Sequence, residues 1–378
     1  MQKNEIQRDS TDMSKICILT TVHSPFDIRI FNKEALTLRK AGYDVTLIAQ
    51  HDRDEIVDGI RIIALPKSSN RTQRMTRILW KTYRAARKIN ADIYHFHDPE
   101  IIPLGLHLKR KGKKVIYDVH EDYSEDILNK KWIPPVIRKF ASRVFSRIER
   151  NAVKKFNGVI TATPHIKQKF DKLNLNVIDI NNYPILNTPM RRKAKRTALN
   201  RSVNYIGAID GHRGIIEMVR ALEFTNATLV LVGTFTDKRD FDLAKSMKGW
   251  AQVDYRGQVD GSEIATILSE SSAGLVLFHS GPNHDDSQPN KLFEYMAAGL
   301  PIIGSNFTLW KEIIEKNNCG ICVNPLNSQE IANAIMWVLK NPHDAEIMGE
   351  NGFNNVCEKY NWENESKKLV QFYAELFS

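Results

Sequence analysis

The chain has 378 residues, 42% of them hydrophobic, and a formal net charge of +10. That length suits two domains of ordinary size, and that apolar fraction supports a full core, which excludes a disordered chain. No apolar run is long enough to span a bilayer, and the polar start MQKNEIQRDSTD lacks the apolar stretch of a secretory signal and reads as a loose tail.

Short β-branched runs alternate with longer amphipathic stretches. Strands are expected at 16–22, 43–49, 59–65, 92–97, 114–119 and 158–163, and then at 203–209, 228–233, 252–257, 273–278, 301–305 and 321–325. Continuous apolar strands separated by helices call for parallel sheets covered on both faces. Two such series give an α/β chain of two doubly wound, Rossmann-like domains. The basic, strandless segment 187–202 marks the boundary, so the first domain covers 1–187 and the second 203–361. The final stretch, 362–378, reads as an amphipathic helix. Ligands of open parallel sheets bind beyond the carboxyl ends of the strands. The residues to inspect there are His23, Asp27, Arg29, His97, Asp98, His120, Glu121, Asp122, Gly207 to Gly214, Gly233, Asp285 and Asp286.

The charge is concentrated. Residues 67–88 and 129–155 each carry +8, which leaves the remainder of the chain at −6. Local basicity points to a specific anionic partner. Within the second stretch, Val136, Ile137, Phe140, Val144, Phe145, Ile148 and Ala152 recur at helical spacing, and most of this stripe is expected to be core. The Lys/Arg rim, with Trp80, Tyr83 and Trp132, suits an anionic bilayer surface. No nucleic-acid motif accompanies it, so nucleic acid is not expected as a partner. Cys319 and Cys322 have CxxC spacing, but no second pair completes a zinc site. The reading adopted is that Gly320 ends a helix and Cys322 enters a buried strand, in a reduced, cytoplasmic chain. His95 and His97 share one face of a strand end with Asp98 following, a spacing that suits a metal. The strand offers no obvious third ligand, so no metal or other cofactor is expected.

QPNKLFEYMAAGLPIIGS (288–305) places charge on a short helix. Pro289 suits its first turn, Gly299 its C-terminal cap, and Pro301 prevents continuation. Unpaired N–H groups at its start, near Asn290, favour an anion such as a diphosphate, and Lys291 adds a full positive charge. Glu294 lies one turn on, placed to accept hydrogen bonds from two vicinal hydroxyls.

An acid, seven residues, then Glu, ahead of a small-residue Gly-x-Pro turn, resembles the signature of family 4-type retaining glycosyltransferases (glycosyl transferases group 1) with the GT-B fold. The likeness runs from ICILTT to the final helix and extends to the surface-polysaccharide members. It implies that Asp286, where the family usually has Glu, approaches the donor sugar, and that Glu294 holds the nucleotide ribose. In YIGAIDGHRG (205–214) the family's Gly is kept at Gly207, its first cation is replaced by Ala208, and Arg213 stands in its lysine position. Arg213 and Lys291 would then hold the leaving diphosphate in place of a metal. Gly207, Gly233 and Asn290 complete the donor side. His120 would sit beside the reacting sugar, so His120, Asp286 and Arg213 are the catalytic candidates. On the acceptor side stand Asp27, Arg29, His97, Asp98 and Glu121. The family's Gly-Gly loop after the first strand is absent, and Asp27 and Arg29 shape the pocket or form a buried ion pair. The likeness also implies that helix 362–378 crosses back to the first domain. The function implied is transfer of a sugar from a nucleoside diphosphate to a glycan or lipid-linked acceptor at the inner face of the plasma membrane. A nucleotide-sugar epimerase or a non-catalytic scaffold of the same fold are the alternatives.

Overall fold

The computed structural model describes residues 13–130, 133–186, 201–281 and 284–377. The tail at 1–12, most of the segment 187–202 and Trp132 lie outside the described residues. The chain divides into two compact units. One comprises the chain up to Asn182 together with the stretch from Glu365 onward, and the other runs from Tyr183 to Asn364.

Among the described residues, the first unit holds an eight-stranded sheet: β1 (Lys15–Leu19), β2 (Asp44–Gln50), β3 (Glu55–Val57), β4 (Ile60–Leu65), β5 (Ile93–Phe96), β6 (Lys114–Val119), β7 (Gly158–Thr161) and β8 (Val177–Asp179). The order is β3-β4-β2-β1-β5-β6-β7-β8. All pairings are parallel except β3 with β4, which joins antiparallel through a turn at Asp58 and Gly59, both with positive φ. β3 and β8 are absent from the strands expected from sequence, because three residues are too few to show a period. The chain order reverses beside β1, so the carboxyl ends of β1 and β5, with β6 next to them, mark the switch point where such sheets hold ligands.

The second unit holds a parallel six-stranded sheet: β9 (Ser202–Ile206), β10 (Thr228–Val232), β11 (Val253–Gly257), β12 (Ala273–Val276), β13 (Ile302–Ser305) and β14 (Gly320–Val323), in the order β11-β10-β9-β12-β13-β14. Its switch point lies between β9 and β12. Gly320 opens β14 and does not end a helix as expected, because a Cβ there would lie 2.1 Å from the Ile302 carbonyl oxygen. The four cysteines are free thiols.

The long basic helix Pro135–Val153 corrects the sequence reading. Val136 is 90% exposed and Phe140 69%, and Ile137, Val144 and Ile148 are exposed as well. Ala152 and Val153 are buried, and Phe145 packs partly against the core. The inner face is held instead by a buried Glu149, which accepts from the Tyr117 hydroxyl at 3.1 Å and from Lys169 Nζ at 3.0 Å.

The C-terminal helix Trp362–Phe377 packs its later turns into the first unit. Tyr373 Oη lies 2.8 Å from His95 Nδ1, Phe377 stacks on Tyr43, and Lys114 Nζ donates to the Leu376 carbonyl.

Candidate functional site

In the second unit the site is built on a close approach of two backbone turns and one lysine side chain. Gly207 follows β9 with φ +133° and Gly233 follows β10 with φ +130°. A Cβ on Gly233 would lie 1.9 Å from the Gly207 carbonyl oxygen, and a Cβ on Gly207 would lie 2.6 Å from Lys291 Nζ. Only glycine meets both demands, a positive φ and no side chain. The Lys291 ammonium therefore rests directly on the turn after β9.

The helix that carries it, Asn290–Ala297, is fixed from below. Tyr295 is buried, its ring lies where a Cβ on Gly274 of β12 would be, and its hydroxyl accepts from the Ile206 N–H at 3.1 Å. Gly299, with φ +66°, ends the helix. Lys291 Nζ stands 4.9 Å above the Tyr205 ring and 5.7 Å from that of Phe278. No carboxylate lies within ion-pair distance of it among the described residues. Burial, and after it the charge of Arg213, brings its pKa down to about 8.

Arg213 also lies against Phe278, its guanidinium 5.8 Å from the ring centroid. Asp210 orders it twice, accepting from its backbone N–H at 3.0 Å and from Nη1 at 3.1 Å. The loop is pinned further by Gly211 N donating to Asp240 at 2.8 Å and by His279 N donating to the His212 carbonyl at 2.8 Å. Two cations thus share one aromatic wall at the end of β9, and only Arg213 carries an acidic partner. Such a place attracts a multivalent anion. Asp210, Tyr205 and Phe278, which build it, were not assigned roles from sequence, since no spacing rule links them.

Glu294 is half-buried one turn beyond Lys291, while Asn290 and Asp286 are exposed. Asp285 is spent on its own loop, accepting from Ser280 Oγ at 2.8 Å and Gly281 N at 3.0 Å. Trp310 Nε1 donates to the Ser287 carbonyl at 2.8 Å and holds the loop ahead of the helix.

In the first unit the expected acceptor-side residues separate into two classes. His97 and Asp98 are buried, so the acceptor contact expected of them gives way to an interior position, and Arg29 is buried in an ion pair, with Asp118 and not with Asp27. Arg29 gives Nε and Nη2 to Asp118 at 3.0–3.2 Å and Nη1 to the Ile180 carbonyl at 2.8 Å. Asp98 accepts from Thr20 Oγ1 at 2.9 Å and from the backbone of Thr21 and Val22, which fixes the loop after β1. Asp27 caps the helix Ile28–Ala35 by accepting from Arg29 N and Ile30 N, and it lies 3.5 Å from His23 Nδ1. Burial opposes its charge, but His23 and these two N–H groups hold its carboxyl well below the usual range. Glu121 is exposed, and Asp122 caps the next helix and pairs with Lys169 at 2.8 Å.

His120 is partly exposed beyond β6. Its Nε2 lies 3.0 Å from His97 Nδ1 and 3.6 Å from Asp118 Oδ2, and its ring is 5.3 Å from that of His23. Burial disfavours the Asp118 charge, but Arg29 and His120 outweigh it and hold the carboxyl low. Burial and the Asp118 charge push Glu34 up, and burial pushes His95 and His97 down. The expectation that the His-x-His pair lacks further ligands is corrected, because the fold brings Glu34 and Asp118 beside it.

A family model described as Glycosyl transferases group 1 matches residues 201–355, and one described as Glycosyltransferase Family 4 matches residues 29–179. An uncharacterised glycosyltransferase of Methanocaldococcus jannaschii is 31% identical over 175 residues, which cover 45% of this chain and 43% of that protein. Among solved structures, sucrose-phosphate synthase from Thermosynechococcus elongatus superposes with a TM-score of 0.77 at 18% identity, covering 96% of this chain and 99% of that one. HepE from Anabaena, in complex with UDP and glucose, gives 0.71 at 14% identity, covering 96% and 100%. The two Rossmann-like parallel sheets are those of GT-B glycosyltransferase structures.

Proposed function

From a chain whose two matched regions support a group 1 glycosyltransferase, we propose an enzyme that moves a sugar from a nucleoside-diphosphate donor to a glycan or lipid-linked acceptor, with retained anomeric configuration. The observation that carries this reading is the Lys291 ammonium seated on Gly207, with Arg213 sharing its Phe278 wall. The leaving diphosphate gains charge in the transition state, and fixed cations at that point lower the barrier. These two side chains do at the diphosphate what a metal does elsewhere, so the transfer step requires no added metal. Glu294, one helical turn on, accepts from the ribose hydroxyls, and Asp286 and His120 address the sugar.

The acceptor side is assigned to the first unit and to a membrane surface. The support is the helix Pro135–Val153, whose exposed Val136, Ile137, Phe140, Val144 and Ile148 run beside exposed Lys139, Arg143 and Arg147. An apolar strip with a basic margin is the pattern of a helix lying in an anionic interface. Trp80, 54% exposed on the other basic stretch, has Arg84 stacked over it at 4.6 Å. No described helix is long and apolar enough to cross a membrane. The role inferred is a peripheral enzyme of surface-polysaccharide synthesis.

The test is a thermal-shift screen with UDP-, GDP- and dTDP-sugars on the wild type and on Glu294→Ala. A donor at a hundred times its dissociation constant stabilises by about 2.7 kcal/mol. One base is expected to shift the wild type and to lose most of its effect in the variant. A flat response to every donor sinks the reading, and an isomerised sugar formed from donor alone assigns an epimerase instead.

A further inference from the structure

The interior of the first unit holds a cluster that the proposed transfer does not use. Glu34 from the helix Ile28–Ala35, His95 in β5, His97 just beyond it and Asp118 in β6 each offer one ligand atom, and the four atoms lie within 4.8 Å of one another. All four side chains are fully buried. Glu34 Oε2, His95 Nε2 and His97 Nε2 have no hydrogen-bond partner, while Glu34 Oε1 faces Arg29 Nε at 2.9 Å. Buried polar atoms are nearly always satisfied, so three orphans around one point indicate a missing partner.

The separations say what kind of partner. His97 Nε2 is 3.6 Å from Glu34 Oε2, His95 Nε2 is 3.6 Å from Asp118 Oδ2, and His95 Nε2 is 3.9 Å from Glu34 Oε2. These are too long for hydrogen bonds. Ligands held at about 2.0–2.2 Å by a tetrahedral metal stand about 3.4 Å apart, so small inward movements suffice. The far nitrogens are already oriented, with His95 Nδ1 at 2.8 Å from Tyr373 Oη and His97 Nδ1 at 3.0 Å from His120 Nε2. A hydrogen bond on the outer nitrogen is the usual support of a metal-bound imidazole. Arg29 enters the charge balance, since its Nε lies 2.9 Å from Glu34 Oε1 while it bonds Asp118. One guanidinium against two carboxylates leaves one negative charge in the interior when the imidazoles are neutral. A proton on Glu34 cancels that charge but cannot bridge 3.6 Å to an imidazole nitrogen. A cation bridges it.

We propose that Glu34, His95, His97 and Asp118 bind one first-row divalent metal ion, zinc by preference, in a closed structural site. Two imidazoles and two carboxylates are a hard-to-borderline donor set that zinc accepts in four-coordinate form. The ion joins the helix Ile28–Ala35 to β5 and β6, and through Tyr373 to the C-terminal helix. With Nε2 of His97 on the metal, its proton sits on Nδ1 and is donated to His120 Nε2. That fixes the tautomer of His120, with its own proton on Nδ1. The ion is a support and takes no part in sugar transfer.

The experiment uses the full-length, tag-free chain, incubated with zinc or cobalt(II), desalted, and measured by elemental mass spectrometry. About one equivalent is expected in the wild type, with cobalt showing tetrahedral visible absorption. Glu34→Gln keeps the shape of the side chain, so it is expected to fold and to lower metal affinity roughly tenfold or more. His97→Ala is expected to abolish the cobalt spectrum. A wild-type protein that stays folded and retains less than about a tenth of an equivalent of either metal overturns the proposal and assigns Glu34 a proton. Unchanged stoichiometry and spectrum in both variants also overturn it, by placing the ion elsewhere.

Discussion

Raising the pH should weaken donor binding through Lys291 alone. Burial and the Arg213 charge bring its pKa down to about 8 in the free protein. At pH 7 about nine-tenths of the molecules carry the ammonium, and at pH 9 about one-tenth. A bound diphosphate favours the charged form and returns the pKa towards the ordinary lysine value. Affinity for a nucleoside diphosphate or its sugar should therefore fall about tenfold between pH 7 and 9, which equals about 1.4 kcal/mol. Folding responds in the opposite direction. The folded chain holds fewer protons on this group than the unfolded chain between about pH 8 and the ordinary lysine value. The cost that Lys291 imposes on stability is thus full below that window and fades as pH rises through it. The assay is isothermal calorimetry with UDP and GDP across pH 7–9, in two buffers of different ionisation enthalpy to count protons taken up. Lys291→Met serves as the control for every other titrating group. A flat wild-type curve, or the same slope in Lys291→Met, would refute the assignment of the anion to this lysine.

Three further outcomes are expected. Gly207→Ala places a Cβ 2.6 Å from Lys291 Nζ at a φ of +133°, so it should lower the melting temperature and cut nucleotide affinity tenfold or more. Retained affinity would show that the lysine need not rest on the turn. Arg213→Ala should slow transfer more than it weakens donor binding, because the leaving-group charge peaks in the transition state, and a kcat within about twofold of wild type would remove its role. Phe140→Asp lies on an exposed strip, so it should leave thermal stability within about 0.5 kcal/mol while reducing co-sedimentation with anionic vesicles at low salt. Equal binding to neutral and anionic vesicles, or none to either, would assign the basic faces to another partner.

The period and composition of the chain by themselves determined the architecture. Apolar runs such as 114–119 and 228–233 are buried on both sides, and only parallel sheets covered by helices allow that. The punctuation around residues 288–301 likewise set the short helix that carries Lys291 and Glu294, because Pro289, Gly299 and Pro301 act through local backbone geometry. What escaped the sequence was contact between distant segments. Nothing local to Gly207 says that Lys291 Nζ lies against it, or that Phe278 lies near two cations. The His-x-His pair at 95 and 97 showed a metal-like spacing but no further ligand, since Glu34 and Asp118 arrive from other elements through the packing of a helix and a neighbouring strand. The helix Pro135–Val153 shows the same limit in reverse. A stripe of apolar residues at helical spacing has the same pattern whether it faces core or solvent. Which of the two it faces was decided by Glu149, whose pairing with Tyr117 and Lys169 turns a charged side chain inward and leaves Val136 and Phe140 in the open. Periodicity records that a face exists; only the tertiary structure decides what that face meets.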